Sequence, residues 1–262
     1  MTTLRPVRLR AVALPIEHGA WGFLLEPALL GLLVAWSGAG AALVVAALAA
    51  LLLQTPLSIA LGDLRRGRTY PRTRLAVQVG GVYALVLTVA LGVAIGSAGT
   101  AAILVPALIA VPLALAQLWF DAHGRARELL PETLGALAMN ALVACIAVAA
   151  GWGLAPALGL WALLAARTVP TIVYVRARLR LERGHDVATH WVWTTHLAVL
   201  ACVVAAIVWG GLAWVALAPF AFLTGRALLG VSRARVSVPA KIIGFRELGF
   251  GVGTTLLLAL AL

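Results

Sequence analysis

The sequence predicts an all-α protein, a bundle of helices that crosses a lipid bilayer several times. Its 262 residues are 63% hydrophobic and only 11% charged, and the mean hydropathy is +1.05. A soluble domain carries about 25% charged residues. The apolar residues form long runs, and only helices or closed barrels satisfy backbone hydrogen bonds within lipid. We therefore expect a single integral membrane domain over residues 1–262.

Nine apolar runs are close to the length of about 20 residues that a membrane crossing requires. In chain order they cover 20–36, 41–61, 75–95, 100–120, 133–152, 154–175, 191–209, 212–228 and 242–262. The sequence thus predicts nine transmembrane helices.

The loops between these runs alternate sharply in charge. One set is short and uncharged, near residues 37–40, 96–99, 153 and 210–211. The other set carries most of the charge and covers residues 63–74, 121–132, 176–190 and 230–241. The positive-inside rule then places the arginine-rich N-terminus in the cytoplasm and the C-terminus outside. Because this topology accounts for the net charge of +11, we expect no nucleic-acid binding.

Two pairs of landmarks indicate an internal repeat. Glu17 and Glu132 each precede a helix, 115 residues apart, and Pro56 and Pro170 are 114 residues apart. The spacing predicts two similar units of four helices, over 17–120 and 132–229, and a final helix over 242–262.

Ionisable residues inside the apolar runs are the first candidates for a functional site, since each costs about 2.5–3.5 kcal/mol on insertion scales. Glu26 shares a helical face with Gly19 and Gly22, so another helix or a ligand can approach it closely. The simpler alternative is a carboxylate neutralised by an arginine of a neighbouring helix.

The sixth run carries a polar stripe. Arg167, Thr171, Tyr174 and Arg178 recur at helical spacing, and Pro170 beside them leaves one backbone carbonyl without its helical partner. Arg178 alone is typical of a side chain that reaches towards the membrane surface. Arg167 lies deeper and is the stronger candidate.

Further candidates lie near the charged loops. Gln54 lies inside the second run, and Asp63 follows it, either as a site residue or as part of a solvated turn. Lys241, Arg246 and Glu247 lie at the start of the ninth run. We expect each of them to face a cavity open to the cytoplasmic side.

Three residues have simpler explanations. His196 lies within the seventh run, where a hydrogen-bonded packing role is expected. Cys145 and Cys202 lie in the middle of apolar runs, without zinc-ligand spacing, and are expected to pack as small apolar residues. The sequence also contains no HExxH, P-loop, GxSxG or Rossmann glycine pattern.

The segment Pro15-Ile16-Glu17-His18-Gly19-Ala20-Trp21 resembles the opening motif of the YwiC-like family of bacterial membrane proteins. Residues 166–170 and 241–247 look like further segments of that family. The resemblance implies a protein of the bacterial cytoplasmic membrane.

The nine-helix layout, four plus four plus one, also resembles the UbiA prenyltransferase superfamily. Those enzymes hold Mg²⁺-diphosphate with two Asp-rich motifs, at the cytoplasmic ends of their second and sixth helices. Here the second run ends with Asp63 alone, and the sixth ends in a cationic segment over 174–178. Since acidic clusters are needed to hold Mg²⁺ against diphosphate, the sequence gives Mg²⁺ no support and predicts no metal ligands. Arginines can instead bind an anionic head group directly.

The function expected from these patterns is the binding of an anionic amphipathic molecule, of lipid or isoprenoid-like type. If the protein also acts on this molecule, we expect a divergent UbiA-like transferase. Proton transfer in such an enzyme would fall to Glu17, His18 or Glu247, at a site where the first and last helices meet. The expected ligand-binding residues are Glu26, Gln54, Asp63, Arg167, Tyr174, Arg178, Lys241 and Arg246.

Two alternatives remain open. One is a transporter of small solutes or anions that uses Glu26 and Arg167 as a buried pair. The other is a non-catalytic subunit of a membrane complex.

Overall fold

The computed structural model describes residues 9–14, 19–125 and 127–262, and the regular elements in these ranges are all helical. The helices are α1 (Leu9–Ala13), α2 (Gly19–Val34), α3 (Gly38–Arg65), α4 (Pro71–Ala98), α5 (Val105–Ala122), α6 (Leu129–Ala149), α7 (Leu154–Glu182), α8 (His190–Gly210), α9 (Leu217–Val231) and α10 (Ala240–Ala261). Short 3-10 turns precede α5 and α9. The predicted all-α bundle is confirmed.

Among the described residues, eight helices are long and apolar enough to cross a membrane, namely α3 to α10, with α5 and α9 each counted together with the 3-10 turn that precedes it. Helix α2 has 16 residues and is about 24 Å long, slightly less than the hydrocarbon thickness of a typical bilayer. The count of nine crossings therefore depends on α2 and stays a prediction, as do the repeat and the UbiA-like arrangement.

Helices α3, α4 and α7 are longer than the apolar runs that predicted them, at 28, 28 and 29 residues. Their extra turns contain the arginines and acids of the charged loops. Arg, Lys and Glu are good helix formers, so the helices continue beyond the apolar segment before they end.

Local chemistry explains where the helices begin and end. The Ser37 hydroxyl accepts a hydrogen bond from the Gly40 backbone N–H at 2.9 Å and caps α3. Pro71 occupies the first turn of α4, where no helical N–H bond is lost. Gly99 and Gly211 end α4 and α8 in the left-handed conformation, with φ of 67° and 75°, which glycine adopts without strain.

The helices alternate in direction, so the bundle has two distinct ends. The charged end holds the connections at 66–70, 123–128, 183–189 and 232–239, and the opposite end holds the uncharged ones. Contacts link the charged connections. Arg176 of α7, for example, donates to the carbonyl oxygen of Arg127 at 2.9 Å and to Glu132 at 2.6 Å.

Helix α2 has a central place in the packing. It contacts α3, α6 and α10, so the first and last long helices are neighbours, as the sequence analysis expected. Near the uncharged end, Leu30, Val143, Leu164, Phe220 and Leu258 form the main apolar core. Large apolar side chains on the outside of α4, α5 and α8 are exposed, which identifies these surfaces as lipid-facing.

Candidate functional site

Four charged side chains meet between α2, α7, α9 and α10, and we call them the charge quartet: Glu26, Arg167, Arg226 and Glu247. Nη1 of Arg167 lies 2.7 Å from Oε2 of Glu26, with the two side chains 3% and 6% exposed. Arg226 forms an ion pair with Glu247. Nη2 of Arg167 donates to the backbone carbonyl of Glu247 at 3.3 Å, so the two pairs form one network.

The quartet is buried about two helical turns inside the charged end. Glu26 and Glu247 each lie seven residues after the first residue of their helix, which corresponds to a depth of about 10 Å. Charges at this depth in a bilayer are retained mainly where they are paired or functional.

Gly251 makes this close approach of helices possible. A Cβ atom on Gly251 would lie 2.7 Å from Nη2 of Arg167 and would overlap the carboxylate of Glu26. Glu247 and Gly251 are one turn apart on the same face of α10. Both α2 and α7 thereby meet a part of α10 that has no side chain.

Arg226 is the site residue that the sequence analysis missed. Its guanidinium carbon lies over the rings of Tyr174 and Phe250, 4.2 and 5.3 Å from their centroids, so the cation lies between aromatic neighbours from α7 and α10. The signal was present, because Arg226 falls within the eighth apolar run, and the criterion applied to Arg167 selects it too.

Several polar atoms of the quartet remain unsatisfied. Among the described residues, Nε of Arg167, Nε and Nη2 of Arg226 and Oε2 of Glu247 are buried without a hydrogen-bond partner. Each buried polar atom without a hydrogen-bond partner destabilises the folded protein by about 1–3 kcal/mol. The quartet has a formal charge of zero and an excess of free donors over free acceptors, so its N–H groups can donate hydrogen bonds to the oxygens of an anion.

Tyr174 and Arg178 connect the quartet to the charged end. Tyr174 is buried with its ring against Gly230, where any side chain would overlap it. Arg178 donates to the backbone carbonyls of Gly230 and Val236 and pairs with Glu182 at 2.7 Å. Arg178 therefore ties the α9–α10 connection to α7, and its hydrogen-bonding groups are largely occupied.

His196 lies behind Tyr174, with a centroid separation of 6.4 Å. Its Nδ1 lies 2.8 Å from the carbonyl oxygen of Val192, so this nitrogen carries the proton, and Nε2 is buried without a partner. The buried hydrogen-bonded ring matches the packing role expected from the sequence.

Asp63 belongs to a different cluster. Its carboxylate accepts hydrogen bonds from Nε and Nη2 of Arg72, at 3.0 and 2.7 Å, and from the Thr73 hydroxyl at 2.7 Å. These bonds join the end of α3 to the start of α4. None of them reaches the quartet.

Gln54 is also separated from the quartet. It borders an apolar cavity of about 270 Å³. The other lining residues come from helices α2 to α6 and the 3-10 turn before α5, and they include Leu24, Met139 and Cys145. Leu24 and Glu26 are two residues apart and so lie on opposite faces of α2. Helix α2 therefore stands between the apolar cavity and the charges.

The remaining predicted residues lie around the charged end. Lys241 and Arg246 are exposed, and Nζ of Lys241 lies 5.7 Å from the ring centroid of Phe245. Glu17 and His18 are outside the described residues, so their approach to Glu247 stays a prediction. Within the described ranges no three His, Cys, Asp or Glu side chains form a group that could hold a metal ion.

The α5–α6 connection offers an exposed ion pair for comparison. Nε and Nη2 of Arg125 lie 2.6 and 2.7 Å from the two carboxylate oxygens of Glu128, and both side chains are about half exposed. The hydrogen bond from Arg125 lowers the pKa of the Glu128 carboxyl.

A comparison with protein families assigns the chain. The model of the family described as YwiC-like protein matches residues 14–147, about half of the chain. The chain belongs to the YwiC-like family. No curated protein and no solved structure has significant similarity to this YwiC-like chain. The matched segment contains Glu26, and the other three quartet residues follow it.

Proposed function

We propose that this YwiC-like protein binds an anionic amphipathic molecule, of lipid or isoprenoid-like type, whose head group lies at the charge quartet. The observation that carries this proposal is the free edge of Arg226, formed by two buried N–H groups, Nε and Nη2, without a partner among the described residues.

The same edge of arginine binds carboxylates elsewhere in this protein. Arg72 and Arg125 each donate hydrogen bonds from Nε and Nη2 to the two carboxylate oxygens of an acidic side chain. Such a fork matches the paired oxygens of a carboxylate, phosphate or sulfonate. Since Arg226 reaches Glu247 through Nη1, its fork remains available for a second anion.

The surroundings of Arg226 favour an amphipathic ligand over a soluble ion. Phe222 lies one turn before Arg226 on α9, is 55% exposed, and contacts Phe250 with ring centroids 5.2 Å apart. This aromatic pair is open to lipid and would lie beside the apolar tail. The exposed Lys241 and Arg246 add positive charge near the charged end, which attracts anionic head groups.

Stability alone is a weak reason for a buried quartet. Replacing a buried ion pair with apolar residues is often neutral or stabilising, and ionisable residues within a membrane usually mark a functional site. A binding role explains both the retained charges and the free fork.

The test is direct binding in nanodiscs of neutral phosphatidylcholine, with hexadecanesulfonate as the probe and hexadecanol as its uncharged counterpart. We expect the sulfonate to bind the wild type and Arg226→Gln to weaken its affinity at least about tenfold, as loss of a charged bidentate contact does. The matched control is Arg125→Gln, which removes an arginine fork from a loop at the same end. Equal binding of the sulfonate by Arg226→Gln, or equal binding of hexadecanol by the wild type, would contradict the proposal.

Transport of the same class of molecule is the second candidate. It is favoured by the burial of the Glu26–Arg167 pair, whose side chains are 3% and 6% exposed, because paired charges inside the membrane occur at transporter sites. Flipping of a fluorescent sulfonate amphiphile in proteoliposomes would test it. Transport predicts flipping by the wild type and none by Arg167→Gln, and the absence of flipping by the wild type would contradict it.

A further inference from the structure

The charge balance of the quartet has a consequence for how an anion binds there. Two arginines and two glutamates give a formal charge of zero, so an added single negative charge is left uncompensated. An uncompensated charge is costly in a site surrounded by apolar side chains and lipid. The site can restore neutrality by taking up one proton.

Glu247 is placed to receive that proton. One of its carboxylate oxygens pairs with Nη1 of Arg226, and the other, Oε2, is buried with no partner among the described residues. An anion on the Nε–Nη2 fork of Arg226 would share one guanidinium with this carboxylate. Two negative groups on one guanidinium repel each other, and a proton at Oε2 removes the repulsion.

Building on the proposed function, we propose that the anionic head group and one proton bind together, with the proton taken from water onto Oε2 of Glu247. Protonation weakens the ion pair between Glu247 and Arg226, so the positive charge of the guanidinium is left to pair with the ligand. Release of the ligand returns the proton to water. The charge of the quartet with its ligand then stays at zero throughout the cycle.

The other ionisable groups near Glu247 are less suited to this role. On α2, Glu26 is held by Nη1 of Arg167, which also lies between the two acids in the network. On α7 and α8, the Tyr174 ring lies against the guanidinium of Arg226, and His196 lies beyond that ring. On α10 itself, the neighbouring Arg246 is exposed. A guanidinium donates hydrogen bonds and has no acceptor site, so the arginines around Glu247 cannot take up the proton.

The experiment is the pH dependence of hexadecanesulfonate binding to the full-length protein in phosphatidylcholine nanodiscs. A sulfonate stays ionised over the range used, from about pH 5 to about pH 8, so any pH dependence comes from the protein. We expect the affinity to fall about tenfold per pH unit where Glu247 loses its proton. In a weakly buffered solution, a pH indicator should record the uptake of about one proton per bound sulfonate.

The variant that isolates the proton site is Glu247→Gln, which keeps the shape of the side chain and removes its charge. It should bind the sulfonate at every pH, without the slope and without proton uptake. Glu128→Gln and His196→Asn should keep both the slope and the proton uptake. Because proton counting is also done on the wild type, the proposal stays testable if Glu247→Gln folds poorly.

The outcomes separate this inference from the proposed function. Sulfonate binding by the wild type without proton uptake overturns the inference and leaves the binding proposal standing. Proton uptake that persists in Glu247→Gln, or that disappears in His196→Asn, assigns the proton to another group and also overturns it. Absence of sulfonate binding by the wild type at every pH overturns the proposed function and this inference together.

Discussion

Gly251 of α10 lies against Arg167 of α7, so closely that a methyl group on Gly251 would lie 2.7 Å from Nη2 of the arginine. The guanidinium of Arg167 cannot move away easily, because its Nη1 atom is paired with Glu26 at 2.7 Å and both side chains are buried. The lack of a side chain at Gly251 therefore allows the Glu26–Arg167 pair to pack directly against α10.

This contact predicts that Gly251→Ala destabilises the protein. Alanine normally stabilises a helix interior by about 1 kcal/mol relative to glycine, but here it displaces a buried ion pair, which we expect to cost about 2 kcal/mol or more. The measurement is thermal unfolding in detergent micelles.

Gly249→Ala is the matched control for this prediction. Gly249 lies two residues away on the same helix, and a Cβ atom there meets no atom within 4 Å. This variant should be as stable as the wild type or more stable. Similar melting temperatures for the two alanine variants would show that the contact at Gly251 is unimportant.

Glu26→Gln should be strongly destabilising, because it leaves Arg167 as a buried charge without its counterion. Removing one member of a buried pair typically costs about 3–5 kcal/mol. The double variant Glu26→Gln/Arg167→Met should recover part of this loss, because it removes the bare charge. Glu128→Gln, in the exposed pair with Arg125, should leave the melting temperature close to that of the wild type. If Glu26→Gln and Glu128→Gln melt alike, the buried pair makes no special contribution.

Arg178→Gln should loosen the α9–α10 connection. Arg178 holds the carbonyls of Gly230 and Val236, so its loss leaves residues 232–239 without this attachment to α7. Limited trypsin digestion should then cleave after Arg233 and Arg235 several-fold faster than in the wild type. Arg180→Gln changes an exposed arginine on the same helix and should not alter the rate. Unchanged cleavage in Arg178→Gln would rule out this anchoring role.

The membrane topology can be tested at the C-terminus. The alternation of charged and uncharged loops predicts nine crossings in the cytoplasmic membrane, with the N-terminus inside. A reporter fused after Leu262 should therefore read as extracytoplasmic. A cytoplasmic reading would mean an even number of crossings, and α2 is the first helix to question because of its length.

The sequence was sufficient to predict the helices and the charged end, because hydropathy and arginine placement act locally. It also identified Glu26 and Arg167 as buried groups, one alternative being that an arginine of a neighbouring helix neutralises Glu26, as Arg167 does. The transporter alternative paired Glu26 with Arg167, and the two side chains do form an ion pair across α2 and α7, but the packing of these helices could not be derived from the sequence. Lipid and protein are both apolar, so a membrane helix lacks the polar face that would show which side points inward.

Arg226, Gly251 and the partner of Asp63 show the same limit in different forms. Arg226 met the criterion of a charge inside an apolar run and was overlooked, but its contact with Glu247 could not be derived from the sequence. The Asp63–Arg72 pair depends on the turn between α3 and α4, which composition does not specify. The role of Gly251 follows only from the distance between α7 and α10.

The central claim is that the quartet holds an anionic amphipathic molecule through Arg226. Native mass spectrometry of the gently purified protein tests it most directly, since the endogenous ligand then identifies itself by mass. We predict that the wild type and Arg125→Gln retain a bound anionic amphiphile, and that Arg226→Gln, folded to the same extent, has lost it. Retention of the same molecule by Arg226→Gln, or only neutral lipid on the wild type, would contradict this account.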